Sequence, residues 1–269
     1  MSLTDAVTNS RGQVVRIFGL PLNALRMREV VEIAEQHICS REQLLLGVVN
    51  VAKVVNSLRD AGLRRSLEEA DLILADGLPI VWLSRMLGSP LPERVAGIDI
   101  MNKLLERSNA KHYGVYFLGA RSAVVRRVVD IVKEVHPGLR VAGYRDGYFR
   151  EDQEHEVAEA IRRSNADIVF VAMNSPKKEN FLSRWYKFTG VPVCHGVGGG
   201  FDVLAGVTKR GPRWMQRFGL EWLYRLVQEP RRLWKRYLVT NSIFLVLSLS
   251  MIVRSRIARL LSAFSSPEF

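Results

Sequence analysis

Cysteine is scarce in these 269 residues: Cys39 and Cys194 stand far apart with no C-x-x-C pair. That excludes a disulfide scaffold and a cysteine-based zinc site, and favours a reducing compartment. The opening segment Met1 to Gln13 lacks an apolar run, so it reads as a flexible terminus with no secretory signal. The five histidines (His37, His112, His136, His155 and His195) show neither i,i+4 pairing nor nearby acidic clusters, so no metal set stands out. No G-x-S-x-G elbow is present, which argues against a hydrolase triad. Acidic residues are few: 27 against 39 Lys and Arg, a formal charge of +12. From Ala205 to Phe269 twelve basic residues face three glutamates, so +9 of the excess sits in the last quarter. A local basic block points to an anionic partner: a phospholipid surface, a nucleic acid or a phosphorylated substrate.

What is present is the composition of a packed globular protein, 48% hydrophobic and 25% charged. Short apolar runs at 14–19, 44–49, 72–75, 113–118, 139–143, 167–172 and 191–195 predict strands, and the patterns 121–135 and 152–164 between them predict amphipathic helices. Strand–helix–strand at this spacing predicts an α/β fold over 14–205, a Rossmann-like, largely parallel sheet flanked by helices. Past Gly206 the chain turns basic and aromatic, a helical appendage over 206–269. Pro230 is expected to break its basic aromatic stretch, Thr208 to Arg236, into two helices. Within it Tyr237 to Val253 is uncharged. Seventeen residues with Thr240, Asn241 and several serines suit a helix in the membrane interface better than a full span.

Several residues sit where an open α/β sheet binds ligands, after its strands. Asp76, in Ala75-Asp76-Gly77, is either a catalytic carboxylate or an Asx turn or helix cap. Gly196-Val-Gly-Gly-Gly200 fits neither the G-x-G-x-x-G fingerprint nor a P-loop. It is either a tightly packed turn or a set of backbone N–H groups for a nucleotide diphosphate. Asn50 and Arg94 are solvated loop residues or ligand contacts, Arg94 by a charge-assisted bond to phosphate. Asp99 reads as a helix N-cap and His195 as a packed strand-end histidine.

In order along the chain stand Asn50, Ala-Asp-Gly (75–77), Glu-Arg-Val-x-Gly-x-Asp (93–99), Phe-Leu-Gly (117–119) and Gly-Tyr-x-x-Gly-Tyr-Phe (143–149). Ser-Pro-Lys-x-Glu (175–179), Gly-Val-Gly-Gly-Gly-Phe-Asp (196–202) and Gly-Leu-Glu-Trp-Leu-Tyr-Arg-Leu-x-x-Glu-Pro-Arg-Arg (219–232) follow. This series, over roughly 14–238, resembles the WecG/TagA/CpsF glycosyltransferase family. The resemblance implies an inverting, metal-independent transfer of a hexose-type sugar from a UDP-sugar to a polyprenyl-diphosphate-linked saccharide, in bacterial surface polysaccharide assembly. It implies no cofactor, a peripheral or monotopic seat on the cytoplasmic face of the plasma membrane, an anionic membrane surface as partner, no nucleic acid, and leaves a homo-oligomer open. It makes Asp76 the general base. Asn50, Tyr148, Lys178, Gly198 and Gly199 become substrate contacts, and Arg94, Arg225, Arg232 and Lys235 the cations for the leaving diphosphate. The chain departs from the family pattern at Val48, where Thr is usual, at Lys178, where Gln is usual, and at Asn174, where Gly is common. An added, unpaired cation at 178 would suit an acidic sugar. The departures also leave room for a catalytically silent membrane scaffold of the same fold, and the basic tail for a nucleic-acid-binding protein.

Overall fold

The computed structural model describes residues 12–264, so the segment 1–13 lies, apart from its last two residues, outside the described residues. The chain opens on a hairpin. Strands β1 (Val14–Ile17) and β2 (Leu20–Asn23) pair antiparallel as a small sheet of their own. Phe18 and Gly19 turn the chain with φ of 49° and 80°, the positive pair a tight two-residue hairpin demands. The single strand expected over 14–19 is therefore corrected: it is one strand and a turn, outside the main sheet. Asn23 ties the hairpin to that sheet, its Oδ1 accepting from the buried Ile73 N–H at 2.8 Å.

Next come α1 (Met27–Ser40), β3 (Leu44–Val49), α2 (Val51–Ser57), α3 (Ala61–Glu68), β4 (Leu72–Ala75), α4 (Leu78–Met86), α5 (Gly97–Lys111), β5 (Gly114–Gly119) and α6 (Ser122–Val135). Then β6 (Arg140–Arg145), a 3₁₀ turn (Glu151–Gln153), α7 (Glu154–Arg163), β7 (Ile168–Ala172), α8 (Lys177–Thr189), β8 (Val193–Gly196) and α9 (Gly200–Leu204) complete the α/β part. Strands β3 to β8 form one sheet in the order β4-β3-β8-β7-β5-β6, every pairing parallel. Helices cover both faces, so β4, β5, β7 and β8 are buried at every position, which is why they are legible as continuous apolar runs. All six fall within two residues of the expected runs. On one face Phe117 and Phe170 pack with Phe201 of α9 and with α1, α5 and α6; on the other Leu118 and Val171 pack with Phe181 of α8 and with α7.

The tail continues as α10 (Arg213–Arg217), α11 (Glu221–Gln228) and α12 (Pro230–Phe264). Proline lacks the N–H an interior helical position needs, so Pro230 separates α11 from α12 and starts the latter, while the two helices expected over 208–236 are corrected to three, because Gly219 with φ of 70° already ends the short α10. α12 runs 35 residues without a break, so the uncharged 237–253 is the middle of a longer helix. It packs through one stripe, Leu233, Thr240, Phe244 and Ser248, against α2 and the hairpin. Phe244 meets the Phe18 ring edge-on at 5.7 Å. The opposite stripe, including Leu238, Leu245, Leu249, Val253 and Leu260, is exposed. Leu233–Ala258 is long and apolar enough to cross a membrane, with mean hydropathy 1.6 and only 17% of that window buried within the protein.

Candidate active site

Parallel strands bring their C-terminal ends to one edge of the sheet, and a cavity of about 560 Å³ lies there. Its walls come from the ends of β3 and β4, the loop before α5, the start of α8, the glycine turn after β8, and α11 and α12. Five cations (Lys53, Arg94, Lys178, Arg225, Arg236) and two carboxylates (Asp76, Glu221) line it. A smaller hollow of about 290 Å³ shares Leu78 and Arg94 and adds Arg213, Gln216 and Arg217.

Asp76 is the residue just past β4. Its N–H donates to the Val49 carbonyl at 2.8 Å, carrying the β3–β4 ladder one step further. Gly77, not Asp76, is the N-cap of α4, and it caps without a side chain. The Asp76 carboxylate is thus not spent on capping and remains 28% exposed in the cavity wall. Its nearest cation is Arg94, whose Nη2 lies 3.7 Å from Oδ1. Burial raises its pKa, Arg94 opposes that, and Glu221 adds to it.

Arg94 also holds Glu221, Nη2 to Oε2 2.9 Å. The other Glu221 oxygen lies 3.6 Å from both Arg210 Nε and Arg225 Nη2. Arg210 in turn grips Asp99 with both Nη atoms, at 2.5 and 2.8 Å. The expected capping role of Asp99 is corrected. Ala96 caps α5, and Asp99 sits in the first turn, where a carboxylate suits the helix dipole, and anchors Arg210. This chain of ion pairs fastens the tail to the edge of the sheet where its strands end.

A second cluster lies deeper. Glu179 Oε1 is 2.9 Å from Lys53 Nζ and 3.3 Å from Lys178 Nζ, and Lys53 also donates to the Val48 carbonyl at 2.5 Å. Burial by itself would raise the Glu179 pKa, but the two ammonium groups outweigh it and hold the carboxyl well below its usual range. Lys178 is pushed down to about 8 by burial and by Lys53, against the pull of Glu179. It therefore does not sit as an unpaired cation, which corrects the premise for an acidic sugar. Its stem lies across Gly196, where an added Cβ would come 2.7 Å from Lys178 Cδ. A long side chain here requires a residue without one there.

Asn50, Asp76, Arg94, Lys178, Gly198, Gly199 and Arg225 meet in this one cavity. Asn50 does so while capping α2, its Oδ1 accepting from the Lys53 N–H at 3.1 Å. Tyr148 does not meet them. It follows β6, the strand at the far edge of the sheet from β4, and is 71% exposed. Lys235 lies outside as well: it is exposed on α12, and the next residue, Arg236, a helical step of about 100° round, takes the lining position. The Arg232 side chain lies outside the described residues. His195 is the packed histidine expected, fully buried with Nδ1 3.2 Å from the Leu46 carbonyl and Nε2 3.0 Å from that of Gly97. Burial pushes its pKa down to about 4. Sequence reading missed Lys53, Glu221, Arg210 and Arg236. Lys53 stands three residues after Asn50, and Glu221 lies inside the 219–232 block, but nothing local marks either as facing Asp76.

The glycosyl transferase family model named WecG/TagA/CpsF matches residues 15–258. The chain belongs to this family. A relative from Bacillus subtilis strain 168 is 34% identical over 227 residues, covering 84% of this chain and 88% of its own length. One from Bacillus spizizenii is 41% identical over 172 residues, covering 64% of this chain and about two thirds, 66%, of its own. Both are named N-acetylglucosaminyldiphosphoundecaprenol N-acetyl-beta-D-mannosaminyltransferase. In this WecG/TagA/CpsF glycosyltransferase the match runs well into α12, so the tail that walls the cavity belongs to the family unit.

Proposed function

We propose that this glycosyltransferase moves a hexose-type sugar from a UDP-sugar to a polyprenyl-diphosphate-linked saccharide, for surface polymer assembly on the cytoplasmic face of the membrane. The observation that carries the reading is a carboxylate, Asp76, held in a burying wall of the same cavity as five cations. The acceptor hydroxyl gives its proton to Asp76 as its oxygen attacks the anomeric carbon, and the bond from that carbon to the donor phosphate breaks. One displacement inverts that carbon. The leaving UDP gains negative charge, which Lys53, Lys178, Arg225 and Arg236 stabilise without a metal. Donor and acceptor each carry a diphosphate, so two sets of cations are needed. Arg213 and Arg217, in the adjoining hollow, supply the second.

The relatives' names supply the first pair to try, an N-acetylmannosaminyl donor and an N-acetylglucosaminyl-diphosphoundecaprenol acceptor. A polyprenyl chain stays in the bilayer, so the site must come to the lipid. Trp82 and Met86 are exposed in the cavity wall, Trp214 and Phe218 are exposed in the tail, and one stripe of α12 exposes Leu238, Leu245, Leu249 and Val253. The test incubates purified protein with UDP-N-acetylmannosamine and the lipid-linked acceptor and reads product by mass. Sugar transfer that Asp76→Asn abolishes supports the reading. Failure with a full panel of UDP-hexoses sinks it and favours a silent scaffold.

A further inference from the structure

Beside its charged residues the cavity is lined by Leu78, Trp82 and Met86 of α4 and by Phe244 and Leu245 of α12, and Leu78 also borders the hollow that holds Arg213 and Arg217. Trp82, Met86 and Leu245 are 44%, 54% and 59% exposed, so large apolar groups stand uncovered in a concave wall. Such surface pays off only when something apolar covers it. A UDP-sugar brings charge and hydroxyls but no apolar chain, so the donor leaves this limb empty. The molecule that suits these walls is an amphiphile whose anionic head, held by Arg213 and Arg217 beside Leu78, is joined directly to a hydrocarbon chain.

We propose that the limb between α4 and α12 is a binding site for the first prenyl units of the acceptor, which reach the cavity along α12 while the rest of the chain stays in the bilayer. This deepens the function proposed above and rests on it. From Leu78 to Met86 the α4 wall runs about 12 Å, room for a short stretch of chain and not for the whole polyprenol. The exposed stripe of α12 continues past Leu245 through Leu249 and Val253, so the limb opens onto the surface that would meet lipid. The site thus reads the lipid as well as the sugar.

The test uses the full chain and water-soluble probes. Binding of farnesyl diphosphate and of inorganic pyrophosphate is compared by calorimetry. Transfer is then measured on N-acetylglucosaminyl-diphosphate acceptors bearing methyl, geranyl or farnesyl groups. Each buried methylene adds to affinity, so farnesyl diphosphate should bind at least about tenfold tighter than pyrophosphate, and KM should fall at least about tenfold from methyl to farnesyl. In Trp82→Ser and Leu245→Ser, both at exposed positions, these two ratios should collapse toward one. Ratios near one in the unmodified protein overturn the proposal. So does retention of both ratios in the variants, with loss only of binding to phosphatidylglycerol vesicles: the limb is then a membrane footing. Weakened UDP binding in Trp82→Ser, with the chain-length ratios intact, assigns the limb to the uracil ring and overturns it too. If no acceptor is glycosylated but farnesyl diphosphate still binds preferentially, the proposed reaction fails and the prenyl site stands.

Discussion

Asp76 and Lys178 are each held in the less comfortable of their two protonation states. For Asp76, a raised pKa means the fold disfavours the ionised form a base requires, so its charge costs stability at neutral pH. Asp76→Asn should then lower kcat by about 10²–10⁴ while leaving Tm equal or higher at pH 7, an advantage that disappears as pH falls and the native carboxyl protonates. Rate profiles and thermal melts of the two proteins check this. A near-normal rate in the Asn variant would make Asp76 a turn residue. The acid limb of the native rate profile should also lie above the ordinary aspartate range. Lys178, at about 8, works the other way. Its ammonium costs stability fully below about 8, and that cost fades as pH rises toward the ordinary lysine value. Lys178→Gln is expected to raise Tm by about 3 °C or more at pH 7 and by little near pH 10. Glu179 is the keystone of the pair: Glu179→Gln leaves two buried cations facing each other and should cost about 3 kcal/mol or more, read by denaturant unfolding at pH 7.

At the scale of elements, the parallel strands were legible because burial on both faces makes them continuous apolar runs. The hairpin was not, because Phe18-Gly19 reads as strand until its positive φ values are known. The residues after β3 and β4 were legible by the rule that ligands meet strand ends. Lys53, Glu221 and Arg210 were not, since each reaches the site from its own helix or loop, and only the folded geometry shows which side faces inward. Tyr148 belongs to a motif present in the sequence but placed by sheet order at the opposite edge. α12 is held by a single stripe, so damage to that stripe should act locally. Phe244→Ala removes the contact with Phe18 and should cost about 3 kcal/mol of local packing. Hydrogen exchange should show faster opening of α12 and of the hairpin, with β5 and β7 unchanged. Equal acceleration in those strands would mean that α12 is part of the core.

For the whole molecule, the proposed membrane seat predicts that the +12 charge and the apolar outer face of α12 act together at an anionic surface. Each basic residue near an anionic leaflet contributes roughly 1 kcal/mol. Raising salt from about 0.1 M to 1 M shortens the screening length from about 10 Å to 3 Å. Binding to phosphatidylglycerol vesicles should therefore weaken steeply with salt and level off at the part owed to apolar contact. Co-sedimentation over a salt series measures both, and binding unaffected by salt would leave the basic tail without a membrane role. The outer wall of the cavity also has a history. It is built from Arg236 to Ser248, while Asp76 lies far upstream, and a ribosome delivers the sheet, the carboxylate and the glycine turn before that wall exists. Through that interval of synthesis Asp76 and the glycine turn stand unroofed. On the function proposed above, competence would arrive with the same helix whose exposed apolar face would meet lipid, so a newly made copy would become active only as it became able to reach its substrate.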